Sequence, residues 1–268
     1  MGTDTRSLPQ PVIDAVRVWI RHHEGHAPGL IEGLYLVGSV ALDDWRPGSN
    51  VDIVAMTADP ATDDDVELLR RAAEATRREL AGVTTIDGPI VAWSDLASPP
   101  LAVMRPWTLG GEFRFDGECS EINPVTWFIL AQYGVAAIGG SADRLGVFVD
   151  GHDRVRWVVD NVDTYWRGVH DQLVHALGAA PDQQTFDAEV IEWCALGIAR
   201  MAFTSTSGDV ASKTAAGEWA MVEVPEHRDL FELAVAIRAR HILAEQVDRS
   251  TFEATVVMLS DLADAITG

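Results

Sequence analysis

Residues 34–56, LYLVGSVALDDWRPGSNVDIVAM, constrain the fold more than any other stretch of the chain. Two apolar runs, 34–37 and 51–56, have the length and composition of strands, and a Gly38-Ser39 turn with a polar excursion separates them. Small residues in such a turn let backbone N–H groups approach an anionic group such as a triphosphate. Side chains alternate along a strand, so positions 50 and 52 share a face, from which two oxygen donors can hold Mg²⁺. The donors here are Asn50 and Asp52, an amide and a carboxylate.

The 268 residues suffice for one large or two modest domains, and a hydrophobic content of 47% describes an ordinary soluble chain with a full core. With 41 acidic against 20 basic residues the net charge is −21, which argues against nucleic acid or an anionic membrane as partner, since both require a positive surface. Such a field draws in a small cationic ligand. No apolar run reaches membrane-spanning length, and residues 1–11 carry no signal-peptide core. Cys119 and Cys194, at no metal-like spacing, fit a reduced, cytoplasmic protein in which each is a small buried apolar residue. The oligomeric state is left open, with a monomer favoured.

Taken in order, residues 10–25 read as an amphipathic helix with Val12, Ile13, Val16, Trp19 and Ile20 on one side. His22, His23 and His26 near its end read as solvent-facing partners of the helix dipole. In the excursion before the second strand, Asp43 and Asp44 read as solvated loop residues. Thr62 with Asp63, Asp64 and Asp65 caps a helix that Gly82 stops. An apolar strand follows around residues 90–93, with Asp87 just ahead of it, and Gly88-Pro89 marks an edge or a bulge. Residues 99–125 read as loops and short strands, and 125–138 as a buried helix with a strand after it. From about Asp153 the pattern becomes helix after helix, including 154–177, 185–208, 212–225, 227–245 and 251–266. The composition shift places a domain boundary between 1–152, mixed α/β, and 153–268, all-helical.

Gly38-Ser39, followed after ten residues by Asn50-Val51-Asp52, resembles the Gly-Ser and Asp-x-Asp signature of the nucleotidyltransferase superfamily with the polymerase-β-like fold. The later segment GIARMAFTSTSGDVASKTAAGEWAMVEVP resembles the C-terminal domain of the aminoglycoside 3″-adenylyltransferases, which inactivate streptomycin and spectinomycin. Together the resemblances cover most of residues 30–245. They imply an α+β protein, a nucleotidyltransferase domain with a mixed sheet followed by an all-α helical bundle. They also imply transfer of AMP from ATP, with Mg²⁺, to a hydroxyl of an aminoglycoside.

Carried over residue by residue, the resemblance puts Gly38, Ser39 and Ser49 near the triphosphate and makes positions 50 and 52 the magnesium ligands. Arg200 and Lys213 match basic residues that reach the nucleotide phosphates, where an arginine fork and a lysine charge neutralise the departing pyrophosphate. The family's catalytic base falls on Asp87. Asn50 stands where the family has a metal-binding aspartate, and a neutral amide there weakens an electrostatically driven reaction. The tryptophan lining the family's drug cleft falls on Phe113. The residues that grip streptomycin fall on Val190 and Trp193, with Asp187, Glu189 and Glu192 nearby to hold a different cation. The alternative reading is a catalytically silent protein of this fold that binds a nucleotide or a small cation without turnover.

Overall fold

In α1 (Gln10–His26), Val12, Ala15, Val16 and Trp19 fall on one buried stripe, as their spacing requires. The structure is a computed structural model and describes residues 8–100, 103–239 and 246–268. The chain divides into two compact units, Met1–Asp150 and Gly151–Gly268. No helix among the described residues is long and apolar enough to cross a membrane.

The first unit continues through β1 (Gly33–Leu36), the short α2 (Gly38–Ala41), β2 (Val51–Thr57), α3 (Asp63–Glu79) and β3 (Ile86–Ala92). It closes with α4 (Trp93–Leu96), β4 (Trp107–Leu109), β5 (Glu112–Arg114), α5 (Pro124–Tyr133) and β6 (Val135–Ile138). Six strands form one sheet in the order β5-β4-β3-β2-β1-β6. β2 and β3 run parallel, and each other neighbouring pair is antiparallel. The core joins Val12, Val16 and Trp19 of α1 and Leu69 of α3 to Leu34, Leu36, Val51, Ile53, Ala55, Ile86 and Ile90 of the sheet. Residues 51, 53 and 55 therefore point at the helices, and by alternation Asn50 and Asp52 point to the opposite face.

Helix α3 starts on the predicted cap: Thr62 accepts from the Asp65 amide while Asp65 accepts from that of Thr62. Three local expectations are corrected. His23 is buried, not solvent-facing: it stacks on Trp19 at 3.6 Å between ring centroids, and its Nδ1 lies 2.9 Å from the Trp19 carbonyl oxygen. Burial depresses its pKa to about 4. Asp44 is buried and pairs with Arg46 at 3.4 Å, so it is not a solvated loop residue. β3 is an interior strand, so of the edge or bulge expected at Gly88-Pro89 the edge falls and an irregularity is found. The step lies where the pairing with β2 skips from Asp87 to Ile90, and Gly88, at φ +139°, sits against the Ile53 carbonyl where a Cβ would come within 1.9 Å.

The second unit comprises α6 (Gly151–Asn161), a π-helical turn Val162–Trp166, α7 (Arg167–Ala179), β7 (Phe186–Asp187) and α8 (Ala188–Ser207). It ends with α9 (Lys213–Glu223), α10 (Arg228–Arg238), β8 (Gln246–Val247) and α11 (Arg249–Thr267). α8 is the central helix, and α6, α9, α10 and α11 pack around it. Its residues Cys194, Ala195, Leu196, Ile198 and Ala199 are fully buried. Asp187, Ser212 and Asp248 cap α8, α9 and α11. The two-residue pairing of β7 with β8 has no expectation behind it in the sequence. The helix predicted over 227–245 is seen to Arg238, and residues 240–245 lie outside the described residues, as do residues 1–7 of the N-terminal segment.

Candidate active site

The turn after β1 places its glycine against the acidic strand. Gly38 has φ +56°, and a Cβ built on it would lie 2.0 Å from Oδ2 of Asp52. Only glycine lets the turn approach the carboxylate so closely. Ser39, the next residue, has a buried hydroxyl without a hydrogen-bond partner, a costly state for a polar group and one that a ligand oxygen relieves. Ser49 is fixed from both sides. Its amide donates to the Arg46 carbonyl at 2.9 Å, and its carbonyl accepts from the Thr84 hydroxyl at 3.0 Å.

The parallel register pairs Asp52 of β2 with Asp87 of β3, so the two carboxylates are neighbours on one face of the sheet. Asn50 bridges them: its Nδ2 donates to Asp52 Oδ1 at 2.8 Å and to Asp87 Oδ2 at 3.1 Å. The reverse orientation would set the amide oxygen against two carboxylates, so the network itself fixes which way the amide points. Asp87, 6% exposed, also accepts from the Thr85 hydroxyl at 3.0 Å and from the Gly111 amide at 2.8 Å. Asp87 was expected just ahead of the strand and instead lies within it.

This donor set suits Mg²⁺. Two carboxylates converge on one atom, Asn50 Nδ2, where a positive charge would neutralise both. Rotation of the Asn50 amide presents a third oxygen. Among the described residues no group of three or more His, Cys, Asp or Glu side chains is arranged to hold a metal ion. A cavity of about 580 Å³ is lined by Asn50, Thr85 and Gly111, the three donors to Asp87, together with Trp19 of α1 and Thr76 and Arg77 of α3.

Phe113 sits on β5, half-buried against the core of the first unit, with the Arg70 guanidinium 4.7 Å from its ring centroid. Its ring face is thus engaged with α3.

In the helical unit, Lys213 opens α9 behind the Ser212 cap, and its ammonium lies 3.2 Å from Glu192 Oε1 on α8. Arg238 of α10 meets the same oxygen at 3.3 Å. Burial lowers the Lys213 pKa, Glu192 opposes that shift, and the charges of Arg238 and Arg200 add to it. Lys213 and Arg238 therefore share one carboxylate, and the charge of Arg200 acts on Lys213 nearby. Glu192, one of the acidic residues expected near a cationic acceptor, meets Lys213 and Arg238. Asp187 serves as the α8 cap, accepting from the Glu189 amide at 2.9 Å. Glu189 is exposed, and Trp193 is 37% exposed beside Tyr165 and Trp166.

Sequence reasoning missed Arg238, Thr85, Gly111, Tyr165 and Trp166. Gly110-Gly111 carried a turn signal, but nothing linear links it to Asp87. Arg238 looks like any basic residue in the last turn of a helix.

Residues 158–261 match the family model described as aminoglycoside adenylyltransferase, C-terminal domain. Among solved structures, spectinomycin adenyltransferase AAD(9) from Enterococcus faecialis, determined with ATP and spectinomycin, matches with a TM-score of 0.62 and 17% identity. That match covers 94% of this chain and 99% of the other, and so shows the fold across both units. No curated protein matches the chain significantly.

Proposed function

We propose that this chain, whose residues 158–261 match the aminoglycoside adenylyltransferase C-terminal domain, belongs to that family and transfers AMP from ATP to a hydroxyl of an aminoglycoside-like cation. The observation that carries the reading is the convergence of Asn50, Asp52 and Asp87 on one face of the sheet, beside a turn that only glycine at position 38 allows. ATP is the AMP donor. Ser39 and Ser49 would hold its phosphates in the first unit, and in the helical unit Arg200 and Lys213 are basic groups of the kind that neutralise phosphate charge. Asp52, Asp87 and the Asn50 amide oxygen would hold Mg²⁺, which supplies charge stabilisation to the phosphates when bound.

Turning the Asn50 amide to present its oxygen removes the Nδ2 donor from Asp87 Oδ2 and exposes a lone pair. Asp87 then accepts the acceptor hydroxyl's proton. The hydroxyl oxygen bonds to the α-phosphorus, the bond from that phosphorus to the bridging oxygen breaks, and pyrophosphate leaves with the electron pair. The net charge of −21 favours a polycationic acceptor, and the reaction is assigned to the cytoplasm as an antibiotic-resistance activity.

The test is pyrophosphate release by purified protein with ATP, Mg²⁺ and a panel of aminoglycosides, set against an Asp52→Ala control. Release no greater than the control refutes the enzyme reading. The bridging Asn50 amide favours a second reading, a silent protein that binds its ligands without turnover. An Asn50→Asp variant active where the parent is inactive supports that second reading, and equal activity in both refutes it.

A further inference from the structure

The cavity of about 580 Å³ is lined by residues of the first unit alone, and none of Gly38, Ser39, Asp52 and Asp87 is among them. Trp19 comes from α1 and Ala73 and Thr76 from α3, the helices that cover one face of the sheet, whereas Asp52 points to the other face. The cavity touches the candidate active site only through Asn50, Thr85 and Gly111, which hold Asp87 by hydrogen bonds. Its volume is that of a small-molecule site rather than of a packing defect.

Two features of the lining decide what it takes. The first is an apolar interior, to which the buried residues Trp19, Ala73, Leu80 and Ile86 contribute. Each of the four lining threonines donates its hydroxyl to an internal acceptor: Thr76 to the Ala72 carbonyl, Thr84 to that of Ser49, Thr85 to Asp87 and Thr108 to the Ile86 carbonyl. Their protons are spent, so the buried part of a ligand has no use for polar groups there.

The second feature is charge. The lining holds two arginines, Arg77 and Arg78, and no aspartate or glutamate, in a chain with 41 acidic against 20 basic residues. Both arginines are exposed, which puts them where the cavity opens to solvent. Arg78 has no hydrogen-bond or ion-pair partner among the described residues. Arg77 meets Glu112 at 3.4 Å with both side chains more than half exposed, a pair that contributes little and yields to a better-placed anion. The Arg77 stem passes 3.5 Å from where a Cβ on Gly111 would lie, so it is anchored beside the cavity wall.

A guanidinium fork binds a carboxylate through two parallel hydrogen bonds. A rigid ring system fills an apolar interior at a smaller entropy cost than a flexible chain does. We propose that this cavity is a second ligand site, separate from the sheet face that carries Asp52 and Asp87. It takes an apolar ring system bearing one carboxylate, with the rings against Trp19, Ala73 and Ile86 and the carboxylate on Arg77 and Arg78. The proposal stands on the first unit by itself and does not draw on the adenylyltransferase reading.

The test is calorimetric titration of 2-naphthoate into the full chain, with 2-naphthylmethylammonium, the same rings with the opposite charge, as control. The expected result is saturable 2-naphthoate binding tighter than about 1 mM, with the cation weaker by at least about 10-fold. An Arg77→Gln, Arg78→Gln double variant should weaken 2-naphthoate by about 10-fold or more, and Ala73→Leu, which fills the interior, by a similar factor. Thermal melting shows whether each variant is folded. The arginine variant alters only exposed side chains, so it decides the matter should Ala73→Leu unfold. Absence of saturable binding by the parent, equal binding of the cation, or an arginine variant that binds as tightly as the parent overturns the proposal. Displacement of 2-naphthoate by ATP with Mg²⁺ also overturns it, since the cavity would then belong to the nucleotide site. Pyrophosphate release is measured separately and decides the enzyme reading whichever way the 2-naphthoate titration falls.

Discussion

Replacing Asn50 with aspartate probes the centre of the site, because the amide is the group that lets two carboxylates lie side by side. In the parent, Nδ2 donates to Asp52 at 2.8 Å and to Asp87 at 3.1 Å, and Asp87 is 6% exposed. Asn50→Asp removes both charge-assisted hydrogen bonds and brings a third carboxylate to the same point. Hydrogen bonds to charged groups contribute about 1.5–3 kcal/mol each. The variant limits the added repulsion by binding a proton, so the loss is set at about 3 kcal/mol in total without metal. For a unit of this size that corresponds to a fall in Tm of roughly 6–12 °C. Mg²⁺ at about a hundred times its Kd returns about 2.7 kcal/mol, so most of the loss should be recovered in saturating Mg²⁺. The parent, with one carboxylate fewer and its two carboxylates already hydrogen-bonded by the amide, should gain less. The assay is thermal unfolding of both proteins at neutral pH, with EDTA and with Mg²⁺. A variant that melts within about 1 °C of the parent in EDTA, or that gains no more from Mg²⁺ than the parent does, would refute the reasoning.

Other perturbations test separate parts of the account. Gly38→Ala puts a Cβ 2.0 Å from Asp52 Oδ2 at a positive φ, which should cost about 2 kcal/mol or more and lower pyrophosphate release at least tenfold; unchanged melting and turnover would contradict it. Glu192→Gln removes the carboxylate held by Lys213 and Arg238, and should tighten ATP binding by about 3- to 10-fold in calorimetry while lowering stability by about 2 kcal/mol; weaker ATP binding would show that Glu192 positions the cluster rather than competing with phosphate. His23 has its pKa depressed to about 4 from an ordinary value of 6.5, so the unfolded chain binds the proton first. Its effect on stability is absent above about pH 6.5 and grows as the pH falls towards 4, reaching roughly 3 kcal/mol. His23→Phe, which keeps a ring against Trp19, should flatten the melting profile over that window; an unchanged profile would refute the assignment. Burial pushes both cysteine thiols up to about 12, so a disulfide reagent should modify neither in the native state, and prompt reaction of either would contradict the packing.

The elements with strong local signals were legible in the sequence. The periodicity of α1, the Thr62 cap and the Gly-Ser turn between two apolar runs each follow from a few adjacent residues. The change to helix-forming patterns near residue 152 is also a local signal, and the chain divides into two compact units after Asp150. What the sequence hid depends on long-range register. Asp87 becomes a partner of Asn50 only because β3 runs parallel to β2, and Gly111 reaches Asp87 only through the β4–β5 turn. Gly88-Pro89 read as an edge or a bulge because proline removes a ladder donor, and only the pairing of β3 with both β4 and β2 decides that the irregularity lies inside the sheet. His23 and Asp44 looked solvated by residue type, and packing against Trp19 and pairing with Arg46 decided otherwise. The π-turn at 162–166 carries no proline or glycine to announce it, so the Tyr165, Trp166 and Trp193 group could not be assembled from the sequence.

Calorimetric titration of ATP into the protein, with and without Mg²⁺ and then in the presence of streptomycin or spectinomycin, tests the central claim most directly. Magnesium-dependent ATP binding that an aminoglycoside strengthens is the predicted result, since Asp52, Asp87 and a rotated Asn50 would then be holding the metal and nucleotide together. No ATP binding, or binding indifferent to Mg²⁺, would contradict it.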